Sequence, residues 1–185
     1  MTRTIRDATV DDGAAIASVH IASSDDAYAP LAGSWPAADH DAHTVLWVES
    51  LRKRDGHTLV LVAEIDGAVV GFVEGGPARR KDPGAEVEIY VMHVHPDHRG
   101  RAIGADLWDA ACHVLRGPEL ASVYVDTLAE LRCCSFYARR GGLRMEIRPR
   151  DFCGAPRTHV TYMWPKRTRS TERAHGLHRA PHDET

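Results

Sequence analysis

The sequence has no apolar run approaching the roughly 18 residues that a membrane-spanning helix needs. Its first residues include Arg3, Arg6 and Asp7, with no apolar stretch after them, so no secretory signal peptide is predicted. We therefore expect no membrane partner and a cytoplasmic location.

An excess of positive charge is also missing. Lysine and arginine number 23 against 26 aspartates and glutamates, which gives a net charge of −3 and a pI near 6.4. A nucleic-acid-binding protein usually carries a basic stripe that neutralises phosphates, and no such stripe is present. We expect no nucleic-acid partner.

Cysteine is sparse, and the four cysteines form no CxxC pair. In a cytosolic chain of this size they are expected to stay reduced and to pack as small apolar residues. No histidine stands at a spacing that would suggest an activated thiol, so no covalent enzyme intermediate is implied.

The composition fits one globular domain, because 43% of the residues are hydrophobic and 26% are charged. We assign this domain to residues 1–165. Residues 166–185 have almost no large apolar side chain, so burial cannot offset the entropy of ordering them. They are predicted to form a disordered tail.

Local patterns predict two helices at the beginning of the chain. Thr9 and Asp12 resemble a capping box that starts a helix ending near Ser23. Residues 25–39 are rich in Asp, Pro, Gly and Ser, which is typical of a loop. A second helix follows, with an apolar stripe formed by Val45, Val48 and Leu51.

Strands and a crossover helix are predicted next. The β-rich runs 58–65 and 68–73 are joined by Asp66-Gly67, a two-residue hairpin signal. A strand over 87–95, an amphipathic helix from Ile103 and a strand over 122–127 form a parallel unit. A short helix and two strands complete an α/β fold: a mixed, mostly antiparallel twisted sheet flanked by helices.

The stretch HVHPDHRGRAIG, residues 93–104, supports two hypotheses. Its first half spells HxHxDH, which resembles the ligand string of dinuclear metal hydrolases. Such a site needs further ligands from later strands, and only His113 and His159 follow within the predicted domain. The alternative is that these histidines simply occupy a strand and a turn, and we expect no metal.

The second half favours a phosphate site. A helix that begins near Ile103 leaves its first N–H groups without partners, and the helix dipole adds positive character there. Gly100, Ala102 and Gly104 leave room for a close approach, while Arg99 and Arg101 add charge. By itself the segment could equally be a tight strand-to-helix connection.

Two motifs together resemble the GNAT superfamily of acetyl-CoA-dependent N-acetyltransferases over most of residues 3–165. The first is residues 88–107, a strand that ends in V-x-P followed by R-x-x-A-x-G and a helix with leucine. The second is Ser135-Phe136-Tyr137, which precedes Gly141-Gly142 and is similar to the family's F-Y-x-x-x-G-F box. Ala102 and Glu130 depart from the family pattern, which most often has Gly and Asn there.

The resemblance implies acetyl-CoA as acyl-donor cosubstrate and assigns roles to residues. Met92, His93 and Val94 would pair with the pantetheine arm through their main chain and meet the oxyanion, and residues 99–104 would hold the diphosphate. Tyr137 would protonate the leaving thiolate, unless it only packs beside Phe136.

Glu88 would take the proton from the amine, which is charged at neutral pH, either directly or through a water. The equally open alternative is an exposed strand carboxylate. Strand parity places Glu88, Tyr90, Met92 and Val94 on one face unless a bulge intervenes.

The acceptor is expected to be a small-molecule or peptide amine that receives the acetyl group directly in a ternary complex. The family's acceptor pocket is lined by the first two helices and their connecting loop, which here hold Asp25, Asp26, Asp39, Asp41, Tyr28, Trp35 and Trp47. An acidic, aromatic rim of this kind would favour a cation. A non-catalytic acyl-CoA-binding module and a homodimer are further hypotheses.

Overall fold

The computed structural model describes residues 2–81, 84–117 and 121–166, without the side chain of Glu146. The predicted tail therefore lies outside the described residues, except for Lys166. The elements are β1 Arg3–Asp7, α1 Gly13–Tyr28, α2 His40–Lys53, β2 Leu59–Ile65, β3 Ala68–Pro77, β4 Val87–Val94, α3 Ile103–Arg116, β5 Val123–Leu128, α4 Cys133–Arg139, β6 Leu143–Phe152 and β7 Ala155–Trp164. Across these ranges no helix is long and apolar enough to cross a membrane.

The strands form one seven-stranded sheet in the order β1-β2-β3-β4-β5-β7-β6. Every neighbouring pair is antiparallel except β4 and β5, which are parallel and are joined through the crossover helix α3. The expected mixed, mostly antiparallel sheet is confirmed. So is the hairpin at Asp66-Gly67, where both turn residues take the positive φ angles, 49° and 86°, that this turn requires.

Helices cover the two faces of the sheet separately. On one face α3 and α4 bury Leu107, Trp108 and Tyr137 against strand residues such as Ile89 and Val123. On the other face α1 and α2 bury a second cluster that includes Ile16, Val19, Trp47, Val62 and Phe72. Each large side chain that is fully buried contributes about 2 kcal/mol, so both helical layers are needed.

The first strand was not predicted from the sequence. β1 has Ile5 as its one large apolar residue, and it pairs along its whole length with β2 at the edge of the sheet. A polar side chain of β1 forms tertiary ion pairs: Arg6 donates to Asp12 at 2.7 and 2.8 Å and to Glu64 at 2.5 Å. Such ion pairs depend on the tertiary structure and cannot be recognised from a local sequence pattern.

The two N-terminal helices also differ from their predictions. α1 continues to Tyr28 instead of ending near Ser23, because Ser23 is buried and its hydroxyl donates to the Val94 carbonyl at 3.0 Å. In α2 the expected stripe is partly wrong. Val45 is 57% exposed, whereas Trp47 is 7% exposed and belongs to the core.

A bulge in β4 decides which of its side chains share a face. Glu74 pairs with Val91, whereas the next residue of β3, Gly75, pairs with Ile89, so Tyr90 is the extra residue. Ile89, Met92 and Val94 consequently pack towards α3, and the predicted common face of Glu88, Met92 and Val94 is wrong. Glu88 shares its side of the sheet with His93, which contacts Phe72.

Large apolar side chains remain exposed on α2 and on the edge strand β6: Val45, Leu46, Leu143, Met145 and Ile147. A partner copy would cover part of this surface. The homodimer stays a prediction.

Candidate active site

A gap opens between the two parallel strands in the middle of the sheet. β4 and β5 pair at two positions, Val87 with Val123 and Glu88 with Tyr124, although both strands continue beyond them. β5 is paired with β7 along its whole length, so it is β4, bent by its bulge, that diverges. The main chain of β4 beyond Ile89 therefore faces a cleft where an extended ligand can pair with it.

Groups from both faces of the sheet meet at this cleft. Burial, and then the nearby Cys133 of α4, raise the pKa of Tyr28 in α1 to about 12. Burial, followed by Cys133 and Tyr28, raises the pKa of Tyr137 well above 10. Tyr28 of α1 and Tyr137 of α4 lie on opposite sides of the sheet. Both phenols stay protonated at neutral pH and can donate.

Tyr137 is held in place by aromatic packing. It is 4% exposed, and its ring centroid lies 5.6 Å from Trp108, 5.8 Å from Tyr162 and 6.0 Å from Trp164. The helix that carries it is followed by Gly142, where a Cβ atom would lie 2.7 Å from the Trp164 ring. This close packing fixes the direction of the Tyr137 side chain.

The predicted phosphate cradle lies at the start of α3. Gly100 and Ala102 have φ angles of 76° and 62°, and the N–H groups of Ala105 and Asp106 both donate to the Ala102 carbonyl. The N–H groups that precede them in the first turn have no intrahelical acceptor. Ala102 thus adopts the left-handed conformation that the family's glycine would adopt, at a cost of about 1 kcal/mol.

The two arginines of the cradle differ in their contacts. Arg99 forms an ion pair with Asp26 of α1. Arg101 has an exposed side chain, and its carbonyl accepts a 2.6 Å hydrogen bond from Arg3. The main chain of residues 100–104 thus forms the turn that begins α3, and Arg99 ties this turn to α1. A role of either guanidinium in phosphate binding stays a prediction.

The three predicted oxyanion and pantetheine residues lie along the diverging part of β4. Met92 and Val94 direct their side chains into the core beneath α3. His93 lies on the opposite face, with its ring centroid 5.1 Å from that of His20. Burial, and then His20, lower the pKa of His93 to about 3, so this imidazole is neutral.

The metal hypothesis finds no support in this geometry. His93 packs against His20, whereas the His95 ring lies beside His98 at 5.9 Å and accepts from the Asp97 N–H. Within residues 2–81, 84–117 and 121–166 no group of three or more His, Cys, Asp or Glu side chains could hold a metal ion.

Glu88 lies where β4 and β5 separate and is 5% exposed. Its carboxylate accepts from Arg79, through the main-chain N–H at 3.0 Å, Nε at 3.1 Å and Nη2 at 2.6 Å, and from the Tyr124 hydroxyl at 2.5 Å. Burial alone would raise the pKa of Glu88, but these hydrogen bonds outweigh it and lower the pKa. The group is ionised at neutral pH.

A cavity of about 330 Å³ adjoins Glu88 on the face covered by α1. Its walls come from α1, the end of β3, β4, β5 and the β6–β7 hairpin: Tyr28, Arg79, Arg80, Glu88, Ile89, Tyr90, Asp126, Thr127, Leu128, Arg150, Phe152 and His159. Of this set, the sequence predicted a substrate-site role for Glu88 and Tyr28, and it suggested His159 only as a possible metal ligand. Two features of the sequence could have indicated the cavity: the consecutive arginines Arg79-Arg80 after a strand, and the charged Asp126 within a strand.

The loop between α1 and α2 closes one side of this cavity. The N–H groups of Gly33 and Ser34 donate to the Cys153 carbonyl at 3.1 Å, and Arg157 Nε donates to Leu31 at 2.8 Å. Trp35 stacks on Phe152 with a centroid distance of 6.2 Å. Loop and hairpin thus form one aromatic wall.

The acidic residues in and beside the loop between α1 and α2 do not line this cavity. Asp25 accepts from the Trp35 indole at 2.7 Å, Asp26 pairs with Arg99, and Asp39 caps α2 by accepting from the Ala42 N–H. Trp47 is in the core. These carboxylates serve local structure, so a preference for a cationic acceptor cannot be based on them.

Comparison with known proteins agrees with this geometry. The sequence matches no curated protein sequence at a significant level. The chain is similar in structure to an N-acetyltransferase of Staphylococcus aureus Mu50 (TM-score 0.72, 16% identity, covering 89% of this chain and 99% of that one). It is also similar to YncA of Salmonella typhimurium, solved with its cofactor acetyl-CoA (TM-score 0.69, 20% identity, 98% and 99% covered).

A third similar structure is the ribosomal-protein-alanine N-acetyltransferase of Brucella melitensis (TM-score 0.69, 23% identity, 88% and 99% covered). At these identities the likeness establishes the fold. The sequence profile described as the acetyltransferase (GNAT) family matches residues 21–142, which is more than half of the chain and includes β4, α3, β5 and α4. The chain belongs to the acetyltransferase (GNAT) family.

Proposed function

We propose that the protein transfers an acetyl group from acetyl-CoA to a primary amine by direct transfer in a ternary complex. The observation that carries this proposal is the cleft between β4 and β5, which has Tyr137 on one side of the sheet and the Glu88 cavity on the other. Two substrates can meet there from opposite faces.

Acetyl-CoA would enter from the side of α3 and α4. Its pantetheine arm would extend β4 along Met92–Val94, in place of the partner strand that β4 lacks there. Its diphosphate would accept from the N–H groups at the start of α3, where the helix dipole favours an anion. The main chain of residues 100–104 would make this contact, and the nearest atom to a Cβ at Gly104 would be Val94 Cγ2, at the ordinary contact distance of 3.7 Å.

The acceptor would enter the cavity as an ammonium group and lose a proton before it attacks. Glu88 is ionised and lies at the cavity wall, so it can accept that proton, most simply through a water. Its lowered pKa makes it a weak base, and this favours a relay over direct abstraction. The amine nitrogen then bonds to the thioester carbon, and main-chain N–H groups of Met92–Val94 meet the oxyanion.

Collapse of the tetrahedral intermediate breaks the carbon–sulfur bond. Tyr137 stays protonated at neutral pH, so it can give its proton to the departing thiolate and regain one from solvent. The products are the acetylated amine, free coenzyme A and one proton. No group on the protein is acetylated in this sequence.

Free-thiol release from acetyl-CoA, measured across amines, amino acids and peptides, tests the proposal. We expect acceptor-dependent release that Glu88→Gln reduces by about 100-fold, within the range of general acid–base catalysis. Mass spectrometry of the product should show acetylation on nitrogen. Absence of release with every acceptor, despite coenzyme A binding, would contradict the proposal.

One observation favours a second function, a non-catalytic acyl-CoA-binding module. Four hydrogen bonds already saturate the Glu88 carboxylate, which is an arrangement suited to structure. Such a module would bind acetyl-CoA, and Glu88→Gln would then affect stability alone. Calorimetric titration of acetyl-CoA beside the thiol assay separates the two functions.

A further inference from the structure

The cavity beside Glu88 carries more positive than negative charge. Three guanidinium groups, Arg79, Arg80 and Arg150, line it together with two carboxylates, Glu88 and Asp126. A cavity that bound a polyamine or an aminosugar through charge would need the opposite balance. The balance indicates that part of the acceptor is anionic.

Neither carboxylate in the wall is available for a second cation. Glu88 is held by Arg79 at 2.6 Å. Asp126 pairs with Arg80 at 3.3 Å and with Arg148 at 2.9 Å, and it also accepts from the Thr161 hydroxyl. Each negative charge is thus neutralised inside the protein, and neither carboxylate favours a purely cationic acceptor.

Arg150 is different. It lies on β6 with an exposed side chain at the cavity, and no carboxylate of the described residues lies within ion-pair distance of it. A guanidinium has five N–H donors in a planar fork that matches a carboxylate. Arg150 can therefore bind an anion without breaking an existing pair.

His159 stands beside Arg150 and adds a second polar contact. Burial, and then the charge of Arg150, lower the pKa of His159, so the imidazole is neutral. Its Nε2 atom is buried and has no hydrogen-bond partner in the described part of the chain. A buried polar nitrogen at a cavity wall costs free energy until a ligand pairs with it.

The remaining wall is apolar and aromatic. Tyr28, Tyr90, Leu128 and Phe152 line the cavity, and Trp35 stacks behind Phe152. The volume, about 330 Å³, is at the small end of ligand sites. Size and lining together fit a small molecule with one apolar side group.

We infer that the acceptor is a small amine that also carries a carboxylate, of the α-amino acid type, with Arg150 and His159 binding the carboxylate and the aromatic wall its apolar side group. This inference rests on the proposed acetyl transfer. It replaces the cationic acceptor that the acidic loop between α1 and α2 suggested.

Matched acceptors test the inference. Thiol release is measured with L-phenylalanine, L-phenylalaninamide and 2-phenylethylamine, and with the corresponding leucine series. The amide keeps the size and has the more readily deprotonated amine, so a slower reaction cannot be due to a smaller fraction of free amine. We expect kcat/KM to be about 10- to 100-fold higher for the amino acids, which is the effect of a hydrogen-bonded charge.

Variants then assign the effect to Arg150. Arg150→Gln should remove the preference for the carboxylate and leave the KM for acetyl-CoA unchanged. Arg144→Gln is the matched control, because Arg144 lies on the same strand but pairs with Tyr162, whose side chain faces α4, and it should keep the preference.

Two outcomes would overturn the inference. Equal turnover of amides, simple amines and amino acids would contradict it while acetyl transfer itself stood. Preserved carboxylate preference in Arg150→Gln would show that the anion binds elsewhere. Failure of every acceptor would remove the proposed function, and the inference with it.

Discussion

The hydroxyl of Tyr124 donates a 2.5 Å hydrogen bond to the carboxylate of Glu88 across the last paired position of β4 and β5. Tyr124 is completely buried, so the bond is shielded from water and strong for its length. It fixes the proposed base at the point where the strands separate. Position and charge of Glu88 thus depend on a residue of the neighbouring strand.

Replacing Tyr124 by Phe should change the pH dependence of catalysis. Removal of this donor leaves Arg79 as the main partner of Glu88, so the pKa of Glu88 should rise. Because the ionised form is the active one, the acidic limb of kcat/KM against pH should move to higher pH. Tyr90→Phe is the control, since its hydroxyl donates to Pro77. Identical acidic limbs in Tyr124→Phe and the unmodified protein would argue against Glu88 as base.

Replacing Tyr137 by Phe should slow acetyl transfer without weakening acetyl-CoA binding. The ring keeps its packing against Trp108 and Trp164, and only the proton donor is lost. We expect kcat to fall by about 100-fold. Stopped-flow thiol release and calorimetric titration measure the two quantities. A large loss of acetyl-CoA affinity would instead assign Tyr137 to binding.

Replacing Ala102 by Gly should stabilise the protein. Ala102 has a φ of 62°, a conformation that costs a residue with a Cβ atom about 1 kcal/mol and costs glycine little. We expect a gain of about 0.5 kcal/mol in the free energy of urea unfolding, and tighter acetyl-CoA binding if strain loosens the cradle. Ala110→Gly, within the regular part of α3, should lose about 1 kcal/mol. Destabilisation by Ala102→Gly as large as that of the control would show that the strain is not released.

Replacing Asp12 by Asn should destabilise the fold above pH 4. The hydrogen bond from Arg6 is the largest of the effects that lower the pKa of Asp12 from 3.8 to about 2, so its contribution is complete above 3.8 and is lost as the pH falls to 2. The loss should be about 2 kcal/mol at pH 7 and should shrink between pH 4 and 2. Urea unfolding measures it, with the exposed neighbour Asp11→Asn as control. A pH-independent difference would contradict the linkage.

Replacing Gly75 by Ala should disturb the bulge. A Cβ atom there would lie 2.7 Å from the Glu88 carbonyl and 2.7 Å from Leu115, so β3 and β4 would have to move apart. We expect a loss of about 2 kcal/mol in unfolding free energy, within the range of overpacking. Gly56→Ala is the control, because no atom lies within 4 Å of its Cβ position. Unchanged stability would mean that the bulge absorbs the methyl group.

Local patterns were sufficient for much of the fold. The Asp66-Gly67 hairpin and the amphipathic α3 are encoded by turn chemistry and by periodicity within a few residues. The start of α3 near Ile103 was predicted by the same local patterns, whereas phosphate binding there stays a prediction. β1 was not predicted because its partner strand β2 lies about sixty residues away in the sequence. A short sequence window does not contain both strands.

The cavity beside Glu88 could not be predicted in this way. Arg79, Asp126 and Arg150 are far apart in sequence, and they meet only because β7 and β6 follow β5 in the sheet. The bulge at Tyr90 also places Glu88 on the opposite face of the sheet from Met92 and Val94, contrary to strand parity. Asp25 and Asp26 were expected to favour a cation, but Asp25 accepts a hydrogen bond from Trp35 and Asp26 forms an ion pair with Arg99.

The separation of β4 and β5 has a kinetic consequence for the proposed acetyl transfer. If the donor and the acceptor enter from opposite faces of the sheet, neither product has to leave before the other can. In the proposed reaction, coenzyme A would depart past α4 while the acetylated product still occupied the cavity on the other face, so the geometry would impose no fixed order of release. Product-inhibition patterns should accordingly show each product competing with its own precursor.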